Sequence, residues 1–347
     1  MDNIENKLLE LKDDNNKVPE VVLNKVNEAF NEIRNDKSKD SNSKKIFPKK
    51  YFAVAAGIIL ITTIGFGKPA IGAMKSFIFN FGNKSIESAV NNNYVQSITD
   101  KKVSTEKFNL ELKNVLVDQS NIALDFNLDI KDNSMTKWEE IENNDITMNI
   151  AFLNEDGSVN NNIKENISTT SYEIDKSNLS NNKLGIKVLF HSSTNEFQKM
   201  KNLNVKISNI TFLKLKTDVI STTDFDFNVK LDLNDKLSNP TTINYKSSSG
   251  LKNIIINKAT LNPTGLFVDL NYKGIGYDEN IVIHTNLVDT KGNKYKMEEA
   301  SLGTTIEGYY HVSGSFKGVS SFDNIDTFIL EIENPDGTTI DRIKLTK

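Results

Sequence analysis

Seventeen consecutive residues without a charge, 51–67 (YFAVAAGIILITTIGFG), constrain this 347-residue chain more than any other feature. As a helix they reach about 25 Å at 1.5 Å per residue, the short end for a bilayer core of ~30 Å. Lys49, Lys50 and Lys68 can lengthen that reach by snorkelling, and Tyr51 and Phe52 suit the interface. A buried helix in a soluble domain is the other reading of such a run. The lysines just upstream (Lys44, Lys45, Lys49, Lys50) and the Gly/Ala-rich face argue against it. A cleaved export signal has a short basic leader and an apolar core of about 7–15 residues. Here the core is longer and the leader holds fifty residues, although Ala70-Ile71-Gly72 offers small residues for cleavage. Six lysines (Lys37, Lys39, Lys44, Lys45, Lys49, Lys50) precede the run and three (Lys68, Lys75, Lys84) follow it, which predicts a cytoplasmic N-terminus and an extracellular remainder.

The segment ahead of the span reads as two short helices over 1–34. In "KVPEVVLNKVNEAFNEIR", Pro19 sits where a first helical turn needs no N–H. Val18, Val22, Val26, Ala29, Phe30 and Ile33 then recur at spacings of three and four, one apolar stripe. Two helices of this size cannot bury their stripes against each other and be stable alone, so the stripe asks for a partner surface or for the membrane. Residues 35–50 are polar and basic, a linker.

Past residue 100 the apolar period changes to two. Phe108, Leu110 and Leu112 alternate with polar residues, as do Ile122 to Ile130, Leu203 to Ile207 and Phe225 to Leu233. Such alternation predicts antiparallel sheet buried on one face. The second part repeats the first. Residues 111–128 align without gaps on 255–272, Gly157 falls on Gly292, and Phe197 to Asn209 fall on Phe322 to Asn334, in the same order. The expected fold is therefore mainly β: two tandem immunoglobulin-like β-sandwiches, 104–240 and 241–347, behind a membrane-proximal connector, 68–103.

No cysteine is present, which excludes thiolate catalysis, thiolate zinc sites and disulfides. The three histidines (His191, His284, His311) lack metal-ligand spacing and read as solvent-facing strand residues. "NEDGS" and "NPDGT" read as hairpin turns, not calcium loops. Trp138, the only tryptophan, reads as part of a short helix or loop covering one end of the first sandwich. No phosphate loop or nucleophile elbow is present, and a net charge of −4 gives no reason to expect nucleic acid. Nothing nominates a catalytic, cofactor or metal site, so the reading is not that of an enzyme.

The "KVPEVVLNKVNEAFNEI" segment, the basic linker, the span near residue 50 and the β ectodomain together resemble the Firmicutes membrane-anchored negative effectors of extracytoplasmic-function sigma factors. These are anti-sigma factors without the zinc-binding His/Cys motif. The resemblance implies that Val18, Val22, Val26, Phe30 and Ile33 dock on a sigma factor, and that the exterior senses an envelope ligand or partner. It also implies release by proteolysis, for which Gly57, Gly65, Gly67, Thr62 and Thr63 would ease unwinding of the span. The alternative is a surface-binding or adhesive protein whose N-terminal tail is a simple anchor.

Overall fold

A computed structural model describes residues 83–134, 137–142, 145–192, 194–214, 218–247, 254–273, 284–304, 309–333 and 339–347. All belong to one compact unit, Gly67–Lys347. The expected N-terminal helices, linker and span, and residues 68–82 of the connector, lie outside the described residues. Among the described residues no helix is long and apolar enough to cross a membrane.

The chain is mainly β, in antiparallel sheets. A helix comes first: α1 (Lys84–Asn91) is capped by Asn83, whose Oδ1 accepts from the N–H groups of Ser85 and Ile86. Its Ile86, Ala89 and Val90 fall at spacings of three and four and are buried. Short strands β1 (Gln96–Ser97) and β2 (Lys102–Ser104) follow. Then come β3 (Phe108–Val117), β4 (Asn121–Ile130), β5 (Ile146–Leu153), α2 (Asn161–Asn166), β6 (Ile167–Asp175), β7 (Lys183–Ser192), β8 (Asn202–Lys214) and β9 (Asp218–Asp232). One sheet runs β1-β3-β4-β7-β6, with β2 also on β3; the other runs β5-β8-β9. The period-two residues form their shared core, with Phe108, Leu110, Leu112, Leu124, Phe126 and Leu128 on one side and Val205, Ile207, Phe227 and Val229 on the other.

A turn of helix, α3 (Asp235–Ser238), leads to the second half. Its strands are β10 (Ile243–Asn244), β11 (Lys246–Ser247), β12 (Ile254–Asn262), β13 (Gly265–Tyr272), β14 (Thr285–Asp289), β15 (Lys294–Thr304), β16 (Tyr310–Phe316), β17 (Thr327–Glu333) and β18 (Thr339–Thr346). Here β12-β13-β16-β15 takes the order of β3-β4-β7-β6, and β14-β17-β18 that of β5-β8-β9. The difference is that β14 also pairs with β15, which joins both groups into one nine-stranded sheet. A second core, including Leu266, Val268, Leu287, Phe316, Phe328, Leu330 and Ile343, fills this half.

Two local irregularities recur. Each half breaks register once in its first hairpin, between Leu112 and Asn114 and between Ile256 and Lys258. These bulges sit at aligned positions, and bulges are placed features rather than accidents. The turns that follow β5 and β14 also match. Gly157 donates to Asn154 at φ 85° and Gly292 donates to Asp289 at φ 83°, a left-handed conformation that glycine adopts without strain.

Candidate functional site

The two halves meet through polar side chains. The β3–β4 turn starts at Asp118, whose Oδ1 accepts from the N–H groups of Ser120 and Asn121, both at 2.9 Å. That is the ordinary Asx turn. Its other oxygen, Oδ2, accepts from the N–H and hydroxyl of Thr264 in the β12–β13 turn, at 3.0 and 2.6 Å. Asn262 Nδ2 donates to Ser120 Oγ at 2.8 Å and to Asn195 Oδ1 at 2.7 Å, and Asn121 Nδ2 donates to Thr264 Oγ1 at 2.6 Å. All six residues are buried.

The contacts are reciprocal. In the gap-free alignment Asp118 corresponds to Asn262 and Ser120 to Thr264. Asp118 binds Thr264, and Ser120 binds Asn262, so the two corresponding turns exchange partners as the two subunits of a symmetric dimer would. Burial pushes the Asp118 carboxyl up, against the opposing pull of the donors from Thr264, Ser120 and Asn121. His191 Nδ1 lies 3.1 Å from Asn121 Oδ1 in the same cluster. It is 1% exposed, which corrects the reading of this histidine as solvent-facing. Period-two alternation assigns it to the outward side of β7, but this end of the sheet is covered. His311 keeps partial exposure and pairs through Nε2 with Asp269 at 3.0 Å.

Helix α1 braces the same junction. Gly318 N–H donates to Ser85 Oγ at 2.7 Å, and the Tyr94 and Phe322 rings sit 5.9 Å apart. Phe322, from the second half, packs on the first core.

A charged row crosses the outward face of the first sheet. Registered neighbours on β3, β4, β7 and β6 are Asn114, Asp125, Lys187 and Glu173. Asn114 Nδ2 donates to Asp125 Oδ2 at 2.6 Å. Lys187 is only 1% exposed and Asp125 5%. Burial pushes Asp125 up to about 6 and Glu173 up to about 7, each against the attraction of Lys187. Burial lowers Lys187 in turn, and the carboxylates of Asp125, Asp175 and Glu173 oppose it. Lys317 of the second half also acts on Glu173, so this row too lies near the junction.

Beside the joint opens a cleft of about 490 Å³ with contributions from both halves, among them Gln119, Asn195 and Lys258. Elsewhere, Trp138 lies in a single 3-10 turn (Trp138–Glu140), buried and edge-on to Phe212 at 5.1 Å. Among the described residues no group of three His, Asp or Glu side chains is gathered to hold a metal ion. The residues expected to bind a partner, Val18, Val22, Val26, Phe30 and Ile33, lie outside the described residues. Sequence reasoning passed over the joint; its one visible signal was the aligned pair of turns, Asp118-Gln119-Ser120 and Asn262-Pro263-Thr264.

No family model and no curated protein matches the chain. Among solved structures it is similar to the conserved domain protein from Bacillus anthracis, at 11% identity and a TM-score of 0.42, over 70% of this chain and 80% of that one. It is also similar to bovine butyrophilin, at 8% identity and a TM-score of 0.18, over 73% of this chain and 97% of that one.

Proposed function

We propose that the chain is a membrane-anchored anti-sigma factor: its N-terminal stripe sequesters an extracytoplasmic-function sigma factor, and its β domains outside the cell govern release. The observation that carries this reading is the stripe of Val18, Val22, Val26, Phe30 and Ile33, set ahead of a basic linker and the uncharged run 51–67. A tail that serves only as an anchor needs basic residues near the bilayer. It does not need an ordered apolar face some twenty residues further in. That face can cover the polymerase-binding surface of a sigma factor, and the tether keeps the complex at the membrane.

The exterior is read as two immunoglobulin-like sandwiches. Support comes from the order β3-β4-β7-β6 over β5-β8-β9 and its recurrence in the second half, the arrangement of a constant-type immunoglobulin domain. The polar joint lets both sandwiches respond to a signal as one body.

The test is co-purification of the full-length chain with the host's small sigma factors. Retention of one of them, lost in Val26→Asp/Phe30→Asp, supports the reading. No retention, or retention unchanged in that variant, sinks it. Protease added to intact cells should degrade the β domains and spare the N-terminal segment; the reverse pattern overturns the topology. A surface-binding protein on a plain anchor is the competing reading, and it requires that the stripe retain nothing.

A further inference from the structure

We propose that the cleft beside the joint is a binding site for a neutral oligosaccharide. Gln119, Asn162, Asn166, Asn195 and Gln198 line it from the first half, and Lys258 from the second. Five of these are primary amides, a group that carries a donor pair and an acceptor in one plane, although Asn166 and Asn195 spend part of theirs within the protein. Sugar hydroxyls also donate and accept, so amides match them from either side. The one carboxylate of the lining, Glu196, is offset by Lys258, so the cleft has no net preference for an anion or a cation. An apolar ligand would find little to pack on, since the one apolar side chain of the lining, Phe197, is 1% exposed.

Asn195 is the anchor of the argument. It is 2% exposed and held at φ 54°. Its Oδ1 accepts from Ser120 Oγ at 2.6 Å and from Asn262 Nδ2 at 2.7 Å. Its Nδ2 is buried and has no partner among the described residues. A buried donor left unpaired costs free energy that an acceptor on a ligand would recover. The carbonyl oxygen of an acetamido sugar is such an acceptor. Lys258 Nζ is steadied 3.4 Å from the Asn195 carbonyl and over the Phe267 ring at 5.6 Å. The volume, about 490 Å³, falls among small-ligand sites. Because both halves contribute, a bound sugar bears on the joint itself. Sugar binding deepens the sensing role proposed above and rests on that reading only for its place outside the cell.

The test is calorimetric titration of the full-length chain in nanodiscs with chitotetraose and, separately, maltotetraose. Chitotetraose is expected to bind the more tightly, and Asn195→Asp to weaken it about tenfold, the loss of one good hydrogen bond. Asn162→Ala, an exposed position that holds nothing in the joint, is expected to weaken it about threefold and covers the case in which the Asn195 variant fails to fold. No binding of either sugar up to roughly 10 mM overturns the proposal, as does binding unchanged in both variants. A short neutral peptide that binds where neither sugar does overturns the ligand class. Sigma-factor retention is measured separately, so loss of one reading leaves the other standing.

Discussion

Thr264 donates its backbone N–H and its hydroxyl to the same oxygen of Asp118, at 3.0 and 2.6 Å. The carboxylate is buried, and burying a charge is tolerable only while its lone pairs are met. Thr264→Val keeps shape and removes the hydroxyl, which leaves Asp118 Oδ2 one donor short and Asn121 Nδ2 without its acceptor. The expected cost is about 1–3 kcal/mol of unfolding free energy, read from urea denaturation.

The charged row predicts a pH response. Glu173 is raised from 4.5 to about 7 and Asp125 from 3.8 to about 6. Between the ordinary and raised values the folded chain keeps a proton that the unfolded chain has released. Stability therefore falls as pH rises through that interval. The Glu173 contribution is full below about 4.5 and gone above about 7. Glu173→Gln should remove it: plotted against pH, the wild-type denaturation midpoint declines relative to the variant across this window and runs parallel to it above. A constant difference between the two would mean that Glu173 titrates normally.

Gly265 and Gly157 both sit at positive φ but for different reasons. A Cβ on Gly157 would meet nothing within 4 Å, so Gly157→Ala costs only the strain of φ 85°, about 1–2 kcal/mol. Gly265 has φ 148°, and its Cβ would come 3.1 Å from the Phe316 carbonyl oxygen. It also follows Thr264 in the turn that binds Asp118. Gly265→Ala is expected to cost more than Gly157→Ala, by at least about 1 kcal/mol in the same urea assay.

The strands were legible because their apolar residues alternate against polar ones. Phe225, Phe227, Val229 and Leu231 turn inward while Asp224, Asp226 and Asp232 stay exposed. The glycine turns were legible because few other residues accept their φ. Helix α1 was not, although Asn83 and the spacing of Ile86, Ala89 and Val90 were there to read; eight residues are too few for periodicity to outweigh a connector. Asp125, Lys187 and His191 were illegible for another reason. Their alternation marks them as outward, and whether an outward face is then covered depends on how the halves meet. The two turns of the joint bond residues 142 to 146 positions apart, and Asn262 reaches Asn195 across 67, pairings that no local pattern encodes.

Helix α1 should matter more than its length suggests. Ile86 is 1% exposed within the first core, and Ile86→Ala removes three carbons from it. The expected loss is about 2–4 kcal/mol. Asn83→Ala, which deprives two N–H groups of their cap, is expected to cost about 1 kcal/mol. Both are read as shifts in urea midpoint; an unchanged midpoint in the isoleucine variant would detach the helix from the core.

The single tryptophan makes the coupling of the two halves measurable. Trp138 belongs to the first half, packed edge-on to Phe212 at 5.1 Å, and no other tryptophan exists in the chain to obscure it. Its fluorescence therefore follows the unfolding of the first half alone, while far-UV circular dichroism follows the strands of both. Each half has its own core, so each could unfold separately unless the joint binds them. With Asp118, Ser120, Asn121 and Asn195 all engaged by Asn262 and Thr264, the two signals are expected to trace one coincident urea transition in the wild type. In Thr264→Val, a substitution in the second half, the tryptophan midpoint should fall although no residue of the first half has changed. If the tryptophan curve stays fixed while the dichroism curve moves, the halves unfold independently and the joint transmits nothing between them.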